Sequence, residues 1–229
     1  MSKKLRILTV SFDTEIRAEE VPAFRGALAE KVGIEHDWFH NHDNSPDAKS
    51  GYFYRYPLIQ YKRHWGKPML VCINNGVEEA HKFFSKPNWD MTISGKFHKM
   101  GIDTLRVHAY DLRVQAYDFQ YYLRNWLALN QRNYLIYKGF ETEEEGITFL
   151  EKILTTHIIN FASGVDWRIK ERVKVKITSL DRIRSIRSKK TRQMTFSLSF
   201  KSNVFLPNYI GIGKSTSRGF GVVTEKRKA

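Results

Sequence analysis

The sequence has little cysteine, no long apolar run and few acidic residues, and each shortage excludes a class of protein. A single cysteine, Cys72, rules out an intrachain disulfide and makes a reducing cytoplasm the expected compartment. The longest apolar stretches, 68–73 and 158–162, are far shorter than the roughly 20 residues that a membrane helix needs, so we expect no membrane association. The apolar run at the N-terminus is interrupted by Ser11, Asp13 and Glu15, which predicts a strand rather than a signal peptide.

The shortage of negative charge points to a polyanionic partner. The chain has 24 acidic and 38 basic residues, a formal charge of +14, within 229 residues. Such an excess opposes compaction through self-repulsion, and nucleic acid is therefore the first partner to consider. Hydrophobic residues make up 41% of the chain, enough for a real core, and the length suits two domains of about 100–130 residues.

The first half follows the order strand, helix, strand, strand, helix, strand, which is that of a ferredoxin-like unit. Its first helix is marked by an apolar stripe from Val21 to Val32, and Gly33 stands where a terminating glycine belongs. The expected strands are 5–12, 53–61, 68–73, 91–97 and 105–114, with a turn at 62–67 and a short helix at 77–84.

The second half also has an α+β composition, so we predict two successive α+β domains, 1–103 and 104–229. The clearest helix is 141–161, which begins with glutamates that favour the positive end of the helix dipole. Strands are expected at 117–123, 172–180 and 194–201.

One candidate binding segment, Trp167–Arg192, contains eleven basic residues against two acids. Arg172, Lys174 and Lys176 alternate with apolar residues, so one face of a strand docks on the core while the other carries cations. Further cations are expected at the tip of a long hairpin: Arg182, Arg184, Arg187, Lys189 and Lys190. A solvated face normally mixes signs, and this segment does not, which favours a surface that follows phosphates.

A second candidate is the glycine segment (residues 211–221), in which two Gly-apolar-Gly triplets flank five polar or basic residues. A nucleotide-binding P-loop is excluded, because Asn208 replaces a required glycine and too little chain remains for the helix that must follow. Glycines permit sharp bends and close approach to a ligand, while Ile212 and Phe220 anchor the segment. The residues expected to contact the phosphates of a nucleic acid are Gly211, Gly213, Lys214, Ser215, Arg218, Gly219 and Gly221. The alternative is a hairpin with a loose tip.

A third segment holds three histidines just past the first helix, His36, His40 and His42. A zinc site would require a fourth ligand that is not evident nearby, so we expect no bound metal. A merely polar loop and acid–base catalysis remain as the other interpretations.

The C-terminal glycine pattern, the preceding α+β half and the basic hairpin together resemble the RAMP superfamily. Within it the chain resembles CRISPR precursor-crRNA-processing endoribonucleases of the subtype-I-B-like branch, to which 125–134 and 150–162 are similar. The resemblance implies two ferredoxin-like domains in tandem. It also implies metal-independent cleavage of CRISPR repeat RNA without a cofactor, with the active histidine just after the first helix.

The residues suit that chemistry, because RNA supplies its own nucleophile in the 2′-OH. His40 and His42 would act as base and acid, Lys31 would neutralise the phosphorane, and Tyr52 or Tyr54 would orient the hydroxyl. The alternative is a non-catalytic RNA-binding subunit of a CRISPR effector complex. Whether the protein joins such a complex or forms a homodimer stays open.

Overall fold

The structure, a computed structural model, describes residues 2–33, 35–40, 56–188 and 191–226, without the side chains of His40, Arg187, Ser188 and Thr191. The chain divides into two compact units. The N-terminal unit comprises Lys4–Tyr110 and Ser217–Gly219, and the C-terminal unit comprises Met1–Lys3, Asp111–Thr216 and Phe220–Ala229. The boundary expected at 103/104 stays a prediction, and strand β6 (Ile102–Leu112) runs through it.

The N-terminal unit is built on a four-stranded sheet in the order β2-β3-β1-β6. Its other elements are β1 (Lys3–Phe12), α1 (Val21–Val32), α2 (Asp37–His40), β2 (Ile59–His64), β3 (Lys67–Ile73), α3 (Asn75–Glu79), α4 (His81–Phe84), β4 (Met91–Ile93) and β5 (Lys96–His98). β3 pairs antiparallel with both β1 and β2, and β4 pairs with β5 as a separate hairpin. The sheet order is that of a ferredoxin-like fold, as predicted.

Aromatic side chains fill the core between α1 and this sheet. Phe24 of α1 meets Phe12 of β1 at 5.8 Å and Tyr61 of β2 at 5.7 Å between ring centroids, both edge-to-face. All three rings are fully buried. Gly33 ends α1 with a φ of 122° and donates its N–H to the carbonyl of Ala29, which confirms the predicted helix end.

The C-terminal unit repeats the arrangement with the sheet order β10-β7-β9-β8. Its elements are β7 (Val114–Trp126), α5 (Gln131–Lys138), α6 (Glu143–Gly164), β8 (Val175–Ser188), β9 (Thr191–Val204) and β10 (Val222–Glu225). Residues 205–221, all of them described, contain no helix between β9 and β10. The glycine segment therefore occupies the crossover where a ferredoxin-like fold ordinarily has its second helix.

Helix α6 begins with a capping box. The hydroxyl oxygen of Thr142 accepts from the N–H of Glu145, and the Glu145 carboxylate accepts from the N–H of Thr142. Three glutamates stand in its first turn, as the sequence predicts. Leu150 and Phe161 of α6 are buried, as are Phe196 and Phe200 of β9. Among the described residues, no helix has both the length and the apolar character to cross a membrane.

Several elements of the N-terminal unit differ from the sequence prediction. The expected strand 91–97 is the hairpin of β4 and β5, which turns at Ser94 and Gly95. The turn between β2 and β3 consists of Trp65 and Gly66 alone, because both adopt the positive φ of a two-residue hairpin turn and pairing continues to His64↔Lys67. The expected strand 53–61 begins only at Ile59 among the described residues. The expected helix 77–84 is two short helices, α3 and α4, which meet at Ala80.

Candidate nucleic-acid interface

The basic hairpin, formed by β8 and β9, presents cations on one face. Exposure alternates from Arg172 to Ile177, with the basic residues exposed and the apolar ones covered, as predicted. Lys176 lies opposite Lys201 of β9. The neighbouring backbone is fixed by Asn203, which accepts from the N–H of Lys174 at 2.7 Å and donates to the carbonyl of Arg172 at 3.0 Å.

Two bulges in β8 cancel each other, so Lys176, Arg182 and Arg184 stay in one row. Register shifts fall between Ile177 and Ser179 and between Leu180 and Arg182. After them, Arg182 opposes Ser197 and Arg184 opposes Thr195. Since alternate residues of β9 share a face, these arginines stand on the same face as Lys176.

The arginines lie opposite small, buried hydroxyl side chains. Thr195 is 2% exposed and Ser197 is 4% exposed, whereas Arg182 and Arg184 are exposed. Both arginines lie within the paired strand rather than at its tip, which corrects the expectation from the sequence. Lys189 and Lys190 lie outside the described residues, as does the side chain of Arg187.

The glycine segment is strongly bent, as its composition predicts. Gly213, Gly219 and Gly221 have φ values of 96°, 86° and 61°, and Ser215 has 56°. Ile212 is fully buried and Phe220 is partly buried. The segment is therefore anchored through its apolar residues, as expected.

The glycines face the protein rather than open space. A Cβ added to Gly213 would lie 2.5 Å from Nε1 and 2.7 Å from Cδ1 of Trp126, and one added to Gly221 would collide with the carbonyl oxygen of Ile212. Internal packing alone is thus sufficient to require glycine at these two positions. A Cβ added to Gly219 would have more room, because its nearest neighbour, Val21 Cγ1, would be 3.2 Å away.

Several backbone groups of the segment are already paired within the protein. Ile212 N–H donates to the carbonyl of Gly221, and Gly221 N–H donates to that of Asn125. The backbone N–H of Lys214 donates to the carbonyl of Leu127, and its ammonium donates to the carbonyl of Leu129, both at 3.3 Å. Fewer backbone N–H groups of the segment are therefore available to bind phosphate than its length suggests.

Trp126 and His157 form a pair beneath Gly213 that the sequence did not single out. The indole Nε1 donates to His157 Nδ1 at 3.1 Å, and the two rings meet edge-to-face at 5.7 Å. Burial, and secondarily the charge of Lys214, lowers the pKa of His157 to about 4. His157 is therefore neutral at physiological pH, and with Nδ1 accepting, its proton is on Nε2.

Another part of the glycine segment belongs to the N-terminal unit. Ser217 accepts from the N–H of Tyr61 at 3.3 Å, and Arg218 forms a parallel bridge with Tyr61. The hydroxyl of Tyr61 in turn donates to the carbonyl of Phe39 at 2.8 Å. Tyr61 thus joins the glycine segment to helix α2, and no sequence signal marked it.

The histidine segment is described only in part. His36 Nε2 lies 3.6 Å from a carboxylate oxygen of Glu35, and α2 then carries the backbone to His40 directly after the buried Phe39. The side chain of His40, together with His42, Tyr52 and Tyr54, lies outside the described residues. Among the described residues, no group of three or more His, Cys, Asp or Glu side chains is arranged to hold a metal ion.

Lys31 stands in the last turn of α1, as expected. Its ammonium donates to Asn88 Oδ1 at 2.6 Å and to the carbonyl of Asp90 at 2.7 Å. These bonds occupy two of its three protons and fix the position of the charge.

Two ferredoxin-like units in tandem, with a basic hairpin and a glycine-rich crossover, define a two-domain protein of the RAMP type. The chain belongs to the Cas6b family: residues 3–111 match the model of the Cas6b N-terminal domain and residues 113–226 that of the Cas6b C-terminal domain. This membership confirms the resemblance inferred from the sequence.

Two solved structures support the same family, and one curated protein is similar to nearly half of the chain. A crystal structure of Cas6b is 28% identical, with a TM-score of 0.84 over 98% of this chain and 100% of that one. A crystal structure of the CRISPR RNA processing endoribonuclease Cas6b is 25% identical, with a TM-score of 0.70 over the same shares. An uncharacterized protein of Methanocaldococcus jannaschii is 35% identical over 103 residues, which are 44% of this chain and 68% of that protein.

Proposed function

We propose that this protein is an endoribonuclease that cleaves CRISPR repeat RNA to release crRNAs. Membership of the Cas6b family carries the proposal, together with the similarity to a structure described as a CRISPR RNA processing endoribonuclease. The formal charge of +14 and the cationic face of the basic hairpin provide independent support.

The proposed reaction needs no metal ion. The 2′-OH of the nucleotide before the scissile phosphate attacks that phosphorus, its proton passes to a base, and the 5′-oxygen leaves with a proton from an acid. The products are a 2′,3′-cyclic phosphate and a 5′-hydroxyl. His40 and His42 serve as base and acid, and Tyr52 orients the 2′-OH.

Lys31 is assigned to charge stabilisation. Its two hydrogen bonds hold the ammonium at the end of α1, close in sequence to α2 and His40. A cation held in place before the reaction stabilises the developing negative charge without reorganisation in the transition state.

Binding is assigned to the hairpin and the glycine segment. The proposed contacts to phosphate and sugar are made by Arg182, Arg184, Arg187, Lys189, Lys190, Gly211, Gly213, Lys214, Ser215, Arg218, Gly219 and Gly221. Contacts to phosphate and sugar position the RNA and carry no sequence information directly.

The direct test is incubation of the purified protein with its own repeat RNA in EDTA. We expect site-specific cleavage to persist, with cyclic-phosphate and 5′-hydroxyl ends. A 2′-deoxy substitution at the attacking nucleotide is expected to abolish it. Loss of cleavage in EDTA with recovery on adding zinc or magnesium would contradict the mechanism, and binding without cleavage under either condition would indicate a non-catalytic subunit.

Histidine variants test the assigned roles. His40→Ala and His42→Ala are each expected to slow single-turnover cleavage about 10²–10⁴-fold with little change in repeat binding. His36→Ala is the matched control, because His36 lies beside Glu35 and has no catalytic role in this mechanism. A comparable loss in His36→Ala would favour the three-histidine metal site instead.

A further inference from the structure

Both hydrogen-bond acceptors of the Lys31 ammonium are uncharged. One is the side-chain oxygen Oδ1 of Asn88 at 2.6 Å, and the other is the backbone carbonyl of Asp90 at 2.7 Å. Among the described residues these two oxygens are its only hydrogen-bond partners, so the third proton of the ammonium is available to a ligand. Within that part of the chain, the positive charge is therefore held in place without a carboxylate bonded to it.

Other lysines of the same unit are bonded to carboxylates instead. The ammonium of Lys67 lies 2.7 Å from the carboxylate of Asp103, and that of Lys82 lies 2.6 Å from the carboxylate of Glu79. The opposite charges of such a pair act against each other on any third group, so the pair attracts a phosphate less than a lone ammonium does. Lys31 keeps the full attraction.

The segment 88–90 brings a carboxylate near Lys31 in sequence but bonds it elsewhere. Asp90 donates its N–H to Asn88 Oδ1 at 3.2 Å, and its carboxylate accepts from the N–H of Met100 at 3.0 Å. Of the oxygens of Asp90, the carbonyl is the one that accepts from Lys31. Asn88 thus holds both Lys31 and Asp90 with the same side-chain oxygen.

This segment is anchored on both sides. The ring of Trp89 meets that of Phe84 edge-to-face at 5.8 Å. Directly after the N–H that bonds the Asp90 carboxylate, Gly101 donates its own N–H to the carboxylate of Asp13 at 2.7 Å, and Asp13 donates its N–H to the carbonyl of Gly101 at 3.0 Å. Acceptors that are fixed in this way hold the ammonium in position before any RNA binds, which is the preorganisation that charge stabilisation requires.

We propose that Asn88 is a positioning residue for RNA cleavage, because it fixes the Lys31 ammonium with a neutral oxygen and so keeps the charge effective at the phosphorane. This inference rests on the proposed function, in which Lys31 stabilises that phosphorane. A transition state gains most from a charge that is already in place and that no bonded carboxylate offsets. The amide of asparagine meets both requirements, whereas an aspartate of the same shape would meet only the first.

The informative variant is Asn88→Asp, because aspartate keeps the hydrogen bonds to Lys31 and to the N–H of Asp90 but adds a negative charge beside the ammonium. We expect the melting temperature to stay level or rise. The single-turnover rate of repeat cleavage should fall at least about tenfold, out of the roughly 10²–10³-fold that the loss of an oxyanion-stabilising group costs. Lys31→Ala measures that full loss in this protein.

Asn160→Asp is the matched control, because it makes the same change of charge at an exposed position of α6 in the C-terminal unit. Its cleavage rate is expected to equal that of the wild type. The affinity for repeat RNA made uncleavable by 2′-deoxy substitution is expected to be the same for Asn88→Asp and Asn160→Asp. The loss in Asn88→Asp would then belong to the chemical step and not to binding.

Two further variants separate positioning from a structural role. In a Lys31→Ala background, Asn88→Asp is expected to change the cleavage rate little, because the charge that it would offset is gone. Asn88→Ala removes one anchor without adding a charge, so we expect a smaller loss of rate than in Asn88→Asp. A purely structural role predicts the opposite order, since aspartate preserves the hydrogen bonds and alanine removes them.

The outcomes distinguish this inference from the proposed function. If Asn88→Asp cleaves as fast as Asn160→Asp while Lys31→Ala is slow, the positioning role is refuted and the endoribonuclease stands. An equal loss from Asn88→Asp with and without Lys31 would also refute it. Wild-type rates in Lys31→Ala would overturn the inference together with the assignment of Lys31, and wild-type protein that neither binds nor cleaves repeat RNA would overturn the proposed function itself.

Discussion

Replacing Gly213 by alanine tests whether the glycine segment is fixed by the Trp126–His157 pair. The new methyl group would lie 2.5 Å from the indole nitrogen and 2.7 Å from Cδ1, well inside van der Waals contact. Trp126 is fully buried and hydrogen-bonded to His157, so it has little freedom to withdraw.

The expected loss of stability has two parts. Placing alanine at a φ of 96° costs about 1–2 kcal/mol relative to glycine. Overpacking against the indole, with loss of its hydrogen bond, adds about 1–3 kcal/mol. We therefore expect Gly213→Ala to lower the free energy of unfolding by about 2–5 kcal/mol.

Gly219→Ala is the matched control, because its φ of 86° carries a similar backbone cost. Its nearest neighbours are Val21 Cγ1 at 3.2 Å and the carbonyl of Tyr61 at 3.5 Å, so the added methyl meets only mild crowding. The expected loss is about 1–2 kcal/mol.

A double-mutant cycle isolates the contact with the indole. In a Trp126→Phe background the smaller ring has room to retreat, and the cost of Gly213→Ala is expected to fall by at least about 1 kcal/mol. The cost of Gly219→Ala is expected to be the same in both backgrounds. Urea unfolding followed by far-ultraviolet circular dichroism measures all of these values. An unchanged cost of Gly213→Ala in the two backgrounds would refute the reasoning.

Two further predictions concern the basic hairpin and His157. Replacing Arg182, Arg184 and Arg187 together by alanine should weaken repeat binding and reduce the slope of log K against log salt by about two to three. Replacing Arg132, Lys138 and Lys152 removes the same charge elsewhere in the C-terminal unit, and an equal change of slope there would contradict the assignment. Because the pKa of His157 is lowered to about 4 in the folded protein, the unfolded chain takes up the proton first as the pH falls below about 6.5. Stability should therefore drop between about pH 6.5 and 4, by at most about 3 kcal/mol. Urea unfolding at pH 7 and 4.5 should show a smaller drop for His157→Gln, and equal drops would argue against this linkage.

Much of the architecture could be predicted because it depends on local pattern. The alternation of basic and apolar residues from Arg172 to Ile177 sets which side chains are exposed, although strand β8 begins only at Val175. The glycine after α1 ends that helix by its own backbone preference. The order of strands and helices then limits the topology to few choices, of which the ferredoxin-like arrangement is observed twice.

Other features were not predicted, because their sequence signals are weak or because they join residues that are far apart in the chain. Helix α5 was missed although Asn130 caps it by accepting from the N–H of Asn133 at 2.8 Å, and that residue type was the available signal. The turn at Trp65 was placed too broadly because tryptophan is not expected at a left-handed position. The pairing of Trp126 with His157 joins residues that are 31 positions apart, which no local pattern reports.

The glycine pattern shows most clearly what sequence reasoning can and cannot supply. It predicts correctly that the backbone bends where a side chain is not tolerated, but the same pattern results from a neighbouring ring, a neighbouring carbonyl or a bound phosphate. At Gly213 and Gly221 the first two are observed. A conformation that the protein itself enforces is available before any ligand arrives, which is what preorganised binding requires. Within the N-terminal unit, Tyr61, bonded at its N–H to Ser217 and at its hydroxyl to Phe39, joins residues 217–219 to the helix that carries His40.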